Sequence, residues 1–315
     1  MTVRWDSLSA ECVREWAQLT NLLAEVDGTE EFYEAEDLAE KLIEPGLDPV
    51  RDTVAVWSDG ALIGYGQLGV KRGPPGGNLS ALLGGGVHPD HRGRGIGVRV
   101  MNLLEARAMQ LGGERGPGVP VHLRVPGGIE GASVRRLLEH RGYAIERYYR
   151  ELERPIPGAP IAEPSVAVTP YSVELSEQVR LAHNDAFSTH WGSTPRDPLR
   201  WQSYVGSRSF RSEAGFVSLA ADGRVLAYTL VCEWAPGEAW VDLVGTRQEA
   251  RGRGLARACL SASLRSMAGQ GYTMAGLSVD SENAQGAGAL YSSAGFELQR
   301  VVASYGKVVP ALGAG

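Results

Sequence analysis

Apolar residues recur at helical spacing over residues 9–26, where Cys12, Trp16, Leu19 and Leu23 share one face behind Ser9, a suitable N-cap. Residues 35–43 read as an acidic helix stopped before Pro45-Gly46. The period then shortens. Residues 53–57 and 61–69 read as a hairpin turned through Ser58-Asp59-Gly60. Residues 79–87 read as a strand in which Gly84-Gly85-Gly86 marks a candidate bulge. A helix from residue 96 carries Ile96, Val100, Leu103, Leu104 and Leu111 on one face. A strand at 119–125, a helix at 131–140 ended by Gly142, and an extended run at 143–152 follow.

The same order then restarts. It gives a strand at 166–169, helices at 175–187 and 198–205, and a hairpin of 215–220 with 225–234. A strand at 238–246, a helix at 255–268, a strand at 272–280, a helix at 283–294 and closing strands at 296–308 complete it. From Gly95 to Gly254 is 159 positions, and from Gly142 to Gly295 is 153. A repeat that long is a duplicated domain, not a solenoid. Pro155, Pro157, Pro160 and Pro164 fall between the copies and suit a stiff, extended linker. The expected domains are therefore 1–154 and 166–315, joined by a linker at 155–165.

Composition narrows the function classes. The length of 315 residues suits two domains. A net charge of −6 argues against nucleic acid or an anionic membrane as the main partner. Cys12, Cys232 and Cys259 offer neither a disulfide framework nor a metal-binding pair. No targeting pattern opens the chain, and no uncharged apolar run approaches the roughly 18 residues of a membrane span. The expected setting is cytoplasmic, with no metal, nucleic acid or membrane partner, as a monomer or homodimer.

The chemistry centres on one stretch that occurs twice. Arg251-Gly252-Arg253-Gly254-Leu255-Ala256 joins a predicted strand to a predicted helix, as does Arg92-Gly93-Arg94-Gly95-Ile96-Gly97. A glycine-rich turn there gathers backbone N–H groups at a positive helix end, a site for phosphate. Neither copy is a dinucleotide fingerprint or a Walker loop.

The spacing Arg-x-x-Gly-x-Gly/Ala resembles the acyl-CoA pyrophosphate loop of the GNAT acetyltransferase superfamily. The segment Asn283, Ala287, Leu290-Tyr291 and Gly295-Phe296 is similar to that family's Asn…Ala…Leu-Tyr…Gly-Phe. The resemblance implies an α/β (α+β) class with two tandem GNAT domains, each a mixed, mostly antiparallel twisted sheet flanked by helices. It implies acetyl-CoA as cosubstrate, its pyrophosphate held by the amides of both loops. It further implies that Val244, Gly245 and Thr246, with Val87 in the first copy, offer main chain to the cofactor. Asn283 would contact the pantetheine arm, and Tyr291 would protonate the leaving thiolate. Subtracting the repeat offset puts Leu138 and Glu130 at the positions of Tyr291 and Asn283. Neither can do the implied work, so the first domain is expected to be catalytically degenerate.

An attacking ammonium must lose a proton. Strand alternation puts Glu238, Trp240, Asp242 and Val244 on one face, making Glu238 and Asp242 candidate bases. Solvated strand-end carboxylates are the alternative reading. A bulge, usual in the family, would turn one of them to the far face. Polar residues beside aromatics at the end of the first helix of the second copy suit an acceptor mouth: His183, Asp185, His190 and Trp191. The expected activity is direct transfer of acetyl to a primary amine of a small molecule. The alternatives are acetylation of a cysteinyl amine, as in some two-domain members, and a non-catalytic CoA-binding or sensor protein.

Overall fold

The computed structural model describes residues 3–29, 31–71, 77–282 and 287–311. In chain order the first series is β1 (Val3–Asp6), α1 (Val13–Asp27), α2 (Ala35–Leu42), α3 (Pro49–Asp52), β2 (Thr53–Ser58), β3 (Ala61–Lys71), β4 (Leu79–Val87), α4 (Ile96–Arg115), β5 (Val121–Gly128), α5 (Ser133–His140) and β6 (Ala144–Pro155). The second is β7 (Thr169–Pro170), α6 (Ser176–Ala186), α7 (Pro198–Val205), β8 (Phe216–Leu219), β9 (Val225–Ala235), β10 (Glu238–Thr246), α8 (Leu255–Gly269), β11 (Met274–Asp280), α9 (Ala287–Ser293) and β12 (Glu297–Val309). No described helix is long and apolar enough to cross a membrane.

The chain forms two compact units, Met1–Tyr148 with Val301–Gly315, and Tyr149–Arg300. Each carries a mixed sheet with a single parallel pair. The first runs β1-β2-β3-β4-β5-β12, parallel only at β4/β5. The second runs β6-β11-β10-β9-β8-β7, parallel only at β10/β11. These unit limits differ from the domain limits read from composition. β6 passes into the second unit after Tyr148, and β12 returns to the first after Arg300. Strand exchange is a matter of distant pairing, which the proline content of a linker does not record.

The proline-rich stretch is also fastened down. Ile156 is buried, its N–H donates to the Thr273 carbonyl at 3.0 Å, and the Arg154 guanidinium donates to the carbonyls of Ala294, Ala159 and Pro160.

The first core is α4 laid on its sheet through Ile96, Val100, Met101, Leu104, Ala108 and Leu111. Leu103, expected on that face, is 43% exposed, and Met101 takes the place instead. Gly84-Gly85-Gly86 does not form a bulge, because β3 and β4 pair without a register shift. Gly86 is there for space: a Cβ would lie 2.3 Å from the Leu23 side chain. Residues 303–309 supply β5's antiparallel partner, and Tyr305 is buried in the first core. Ending the chain at Arg300 is therefore expected to unfold the first unit, since losing a buried aromatic alone costs about 3–5 kcal/mol. Hydrogen exchange of the β5 amides reads this out, and unchanged protection would refute it.

Candidate active site

Both glycine loops take the same shape. Gly93 and Gly95 have φ of 73° and 80°, and Gly252 and Gly254 both have 75°. A side chain would be strained at each. The six loop residues and the one after them run through the same sequence of burial in both copies, with three exposed residues before the buried Ile96 or Leu255. Gly95 and Gly254 are the N-caps of α4 and α8, and neither helix has a side-chain cap. The first-turn N–H groups are left for a ligand. An added Cβ would meet nothing within 4 Å at Gly93, Gly95 or Gly252. These open, positively poled amides fit the diphosphate of a CoA.

The arginines of the motif do other work. Arg92 forks onto Asp27 at 2.9 and 2.6 Å and donates to the Val87 carbonyl at 3.0 Å. Arg251 donates to the Ala186 carbonyl at 2.8 Å. Each ties its loop to the end of the unit's first long helix. Arg94 and Arg253 donate to the carbonyls of Asp90 and Glu249, four residues upstream. The loop groups left open are the amides opening α4 at Ile96 and Gly97, and α8 at Leu255 and Ala256.

A cleft leads away from each loop. β4 pairs with β5 only through Leu82, and β10 with β11 only through Trp240. The strands run on to Val87 and Thr246 past the last parallel pair. By strand alternation the main-chain groups of Val244 and Thr246 face this split, where an extended ligand arm can lie, while those of Gly245, like Arg247, face β9.

The second unit adds what the first lacks. Its β9/β10 register shifts between Val241 and Leu243, leaving Asp242 without a cross-strand partner. The bulge reverses the alternation read from sequence: Val241 and Val244 pack in the core with α8, while Leu243 packs on the side of α6 and α7. Val244 and Asp242 thus part company. Asp242 is half-buried and accepts a hydrogen bond from the Tyr204 hydroxyl. Burial pushes its carboxyl up, opposed by the nearby charge of Arg196 and by that hydrogen bond.

Tyr228 of β9 lies across Gly245, and its hydroxyl meets His183 Nδ1 at 2.7 Å. Burial, with the charge of Arg196, lowers the His183 imidazole to about 3, so it stays neutral at physiological pH. Gly245 has no room for a side chain, since a Cβ would sit 2.4 Å from the Tyr228 hydroxyl. Gly245→Ala is expected to destabilise the second unit by about 1–3 kcal/mol through overpacking. A lowered Tm checks this, and an unshifted Tm would refute the close contact.

Tyr291 sits on α9, 8% exposed, with the Phe296 ring edge-on at 6.0 Å. Phe296 N–H closes the helix on the Tyr291 carbonyl at 3.1 Å, and Gly295 takes φ of 83° beside it. The hydroxyl makes no hydrogen bond among the described residues. Burial raises it to about 12, so it is a phenol at any ordinary pH. Tyr228 is buried beside the charges of Arg196 and Asp242, and Tyr291 packs in one cluster with Val241 and Val244 of β10.

In the first unit Tyr143 N–H closes α5 on Leu138 in the same way, at 3.1 Å. Leu138 is fully buried, and Glu130 is exposed in the loop before α5. Asn283 lies outside the described residues.

The other expected residues scatter. Glu238 is exposed at the paired end of β10, four residues from Asp242, or about 13 Å along a strand. Asp185 accepts from Gln248 N–H at 2.9 Å and braces the turn before the loop. His190 bonds the Trp191 carbonyl at 3.2 Å, and both are half-buried beyond α6. Of the four acceptor-mouth candidates, His183 alone enters the cluster around Asp242. Sequence reading missed Tyr204, Tyr228 and Arg196. Tyr228 stood in a wholly buried run of β9 that gave it no polar signature.

A glycine loop at a helix start, a split parallel pair and a bulged neighbouring strand define an acyl-CoA N-acyltransferase fold. The acetyltransferase (GNAT) family matches residues 12–116 and 176–296, and the chain belongs to it as a tandem N-acetyltransferase. It is 28% identical over 261 residues to a mycothiol acetyltransferase of Streptomyces coelicolor, covering 80% of this chain and 78% of that one. It is 31% identical to that of Streptomyces bingchenggensis, covering 75% and 74%. Among solved structures, a GCN5-related N-acetyltransferase from Sphaerobacter thermophilus superposes with a TM-score of 0.78 at 24% identity, covering 98% and 96%. A tandem GNAT protein from the clavulanic acid biosynthesis pathway gives 0.69 at 17%, covering 98% of each.

Proposed function

We propose that the second unit moves acetyl from acetyl-CoA to a primary amine of a small molecule by direct attack. Tyr291 is the general acid and Asp242 the base, acting directly or through one water. Support comes from Tyr291, a phenol with no hydrogen bond among the described residues that packs in one cluster with Val241 and Val244 of β10, and from Asp242, the carboxyl at the bulge between them that bonds Tyr204. The loop amides from Gly252 to Ala256 hold the diphosphate. Main-chain N–H groups of β10 near Val244 and Thr246 polarise the thioester carbonyl. Asp242 takes a proton from the incoming ammonium, and the freed amine forms the new C–N bond as the C–S bond breaks.

Tyr291 donates to the charge building on sulfur. A phenol at about 12 is a weaker acid than an ordinary thiol near 8.5, so the hydroxyl acts first as a hydrogen-bond donor. Glu238, exposed and distant, is left to solvent.

The first unit keeps its phosphate loop but serves as a structural partner or silent CoA binder. It has Leu83 and an unbroken register where the second unit has Asp242 and a bulge, and Leu138 where the second has Tyr291.

Relatives named mycothiol acetyltransferase support a second reading, a cysteinyl amine as the acceptor. Thiol release from acetyl-CoA, measured against a panel of amines that includes cysteinyl amides, tests both. Release with no member of the panel would favour a non-catalytic CoA-binding protein.

A further inference from the structure

The loop between α6 and α7 holds a cation in a fixed place. The main chain of Arg196 is clamped three times by α6. Its N–H donates to Asn184 Oδ1 at 2.8 Å, and its carbonyl accepts from Asn184 Nδ2 at 3.2 Å and from Arg180 at 2.7 Å. Arg180 is itself forked onto Glu177 at 2.7 and 2.6 Å. Such bracing of one residue sets the start of its side chain. The half-buried guanidinium then lies over the Tyr204 ring, 5.0 Å from its centroid, and 6.0 Å from that of Trp201.

Among the described residues no carboxylate pairs with the guanidinium, and the guanidinium donates to no side chain. Its charge reaches Asp242, which accepts a hydrogen bond from the hydroxyl of the same Tyr204. One phenol therefore carries a cation on its face and a carboxylate at its tip. A buried or stacked arginine without a partner is a costly arrangement unless a ligand completes it.

We propose that Arg196 binds the carboxylate of an acceptor that also carries the amine, so that the natural substrates are α-amino acids or close analogues. Arg196 takes the carboxylate by its two-pronged fork, and Asp242 takes the ammonium. The two charges of the zwitterion meet opposite charges on either side of Tyr204, and the neutral His183 adds none. The proposal rests on the acetyl-transfer reading of this site and narrows its substrate class. It sets carboxylate-bearing amines above cysteinyl amides.

The test uses the full chain with acetyl-CoA, a set of α-amino acids and their carboxamides. Wild type is expected to release thiol faster with each acid than with its amide. Arg196→Gln is expected to raise KM for the acids about 10- to 100-fold more than KM for the amides, and to leave KM for acetyl-CoA unchanged. Arg196→Lys is expected to recover part of the loss. Equal use of acids and amides by wild type, or an equal loss on both in Arg196→Gln, would overturn the proposal.

A thermal shift of the CoA-loaded protein with the same set separates the two readings. Stabilisation by acids but not amides, lost in Arg196→Gln, keeps the carboxylate site even if no turnover is seen. No shift with any acid removes it even if some other amine is acetylated.

Discussion

Tyr291→Phe is expected to lower kcat about 100-fold or more while leaving acetyl-CoA affinity close to that of wild type. The substitution removes one oxygen from a ring that is packed against Phe296 and bonded to no described residue. The fold therefore loses little. What disappears is the proposed donor to the departing sulfur, and a positioned general acid contributes roughly 10²–10⁴ in rate. An effect confined to kcat marks an interaction made in the transition state and not in the ground state. Stopped-flow thiol release, paired with calorimetric titration of CoA, separates the two. A variant with wild-type kcat would remove Tyr291 from the reaction.

Asp242→Asn carries the second large effect, and pH distinguishes its cause. As the proposed base, Asp242 works as the carboxylate. Burial raises its pKa above the ordinary aspartate value near 3.9, so kcat/KM should fall as pH drops through that raised value. The groups facing it are Tyr204 on α7, Tyr228 and Cys232 on β9, and Arg196 in the loop between α6 and α7. Tyr204, Tyr228 and Cys232 are all pushed up by burial and stay protonated, His183 stays neutral, and Arg196 is the cation that favours ionised Asp242.

Tyr291, at about 12, adds no alkaline limb below that pH. Asp242→Asn should abolish the limb at the Asp242 pKa, leaving only that of the acceptor ammonium itself, and cost about 10²–10⁴ in kcat/KM near neutrality. The deficit should narrow at high pH, where the acceptor arrives already deprotonated. A variant that keeps the limb at the Asp242 pKa would move the role of base elsewhere.

Local rules made much of this site legible. Glycine at a strand–helix junction predicts positive φ and open amides, and both loops have them. The repeat offset paired Tyr291 with Leu138, and the carbonyls of both accept the same closing hydrogen bond, from the N–H of Phe296 and of Tyr143. What stayed hidden depends on distant contacts. Simple alternation put Val244 beside Asp242, but one extra residue in β10 reverses every position after it. The return of β12 to the first unit leaves no mark in composition, because a strand's own pattern does not name its neighbour. Arg196 sits between Pro195 and Asp197 with no helical or strand period to point at its target, and only the clamps from Asn184 and Arg180 reveal that it is held. The arginines of the loop motif were visible as a pattern, but their partners were not: Arg92 bonds Asp27 and Arg251 the Ala186 carbonyl.

The most direct test is a crystal structure of the protein soaked with CoA. The account predicts a diphosphate on the amides that open α8 after Gly254, a pantetheine arm in the split between β10 and β11, and a sulfur within hydrogen-bonding reach of the Tyr291 hydroxyl. A CoA held by the first loop alone, or one in the second unit whose sulfur ends away from Tyr291, would contradict it.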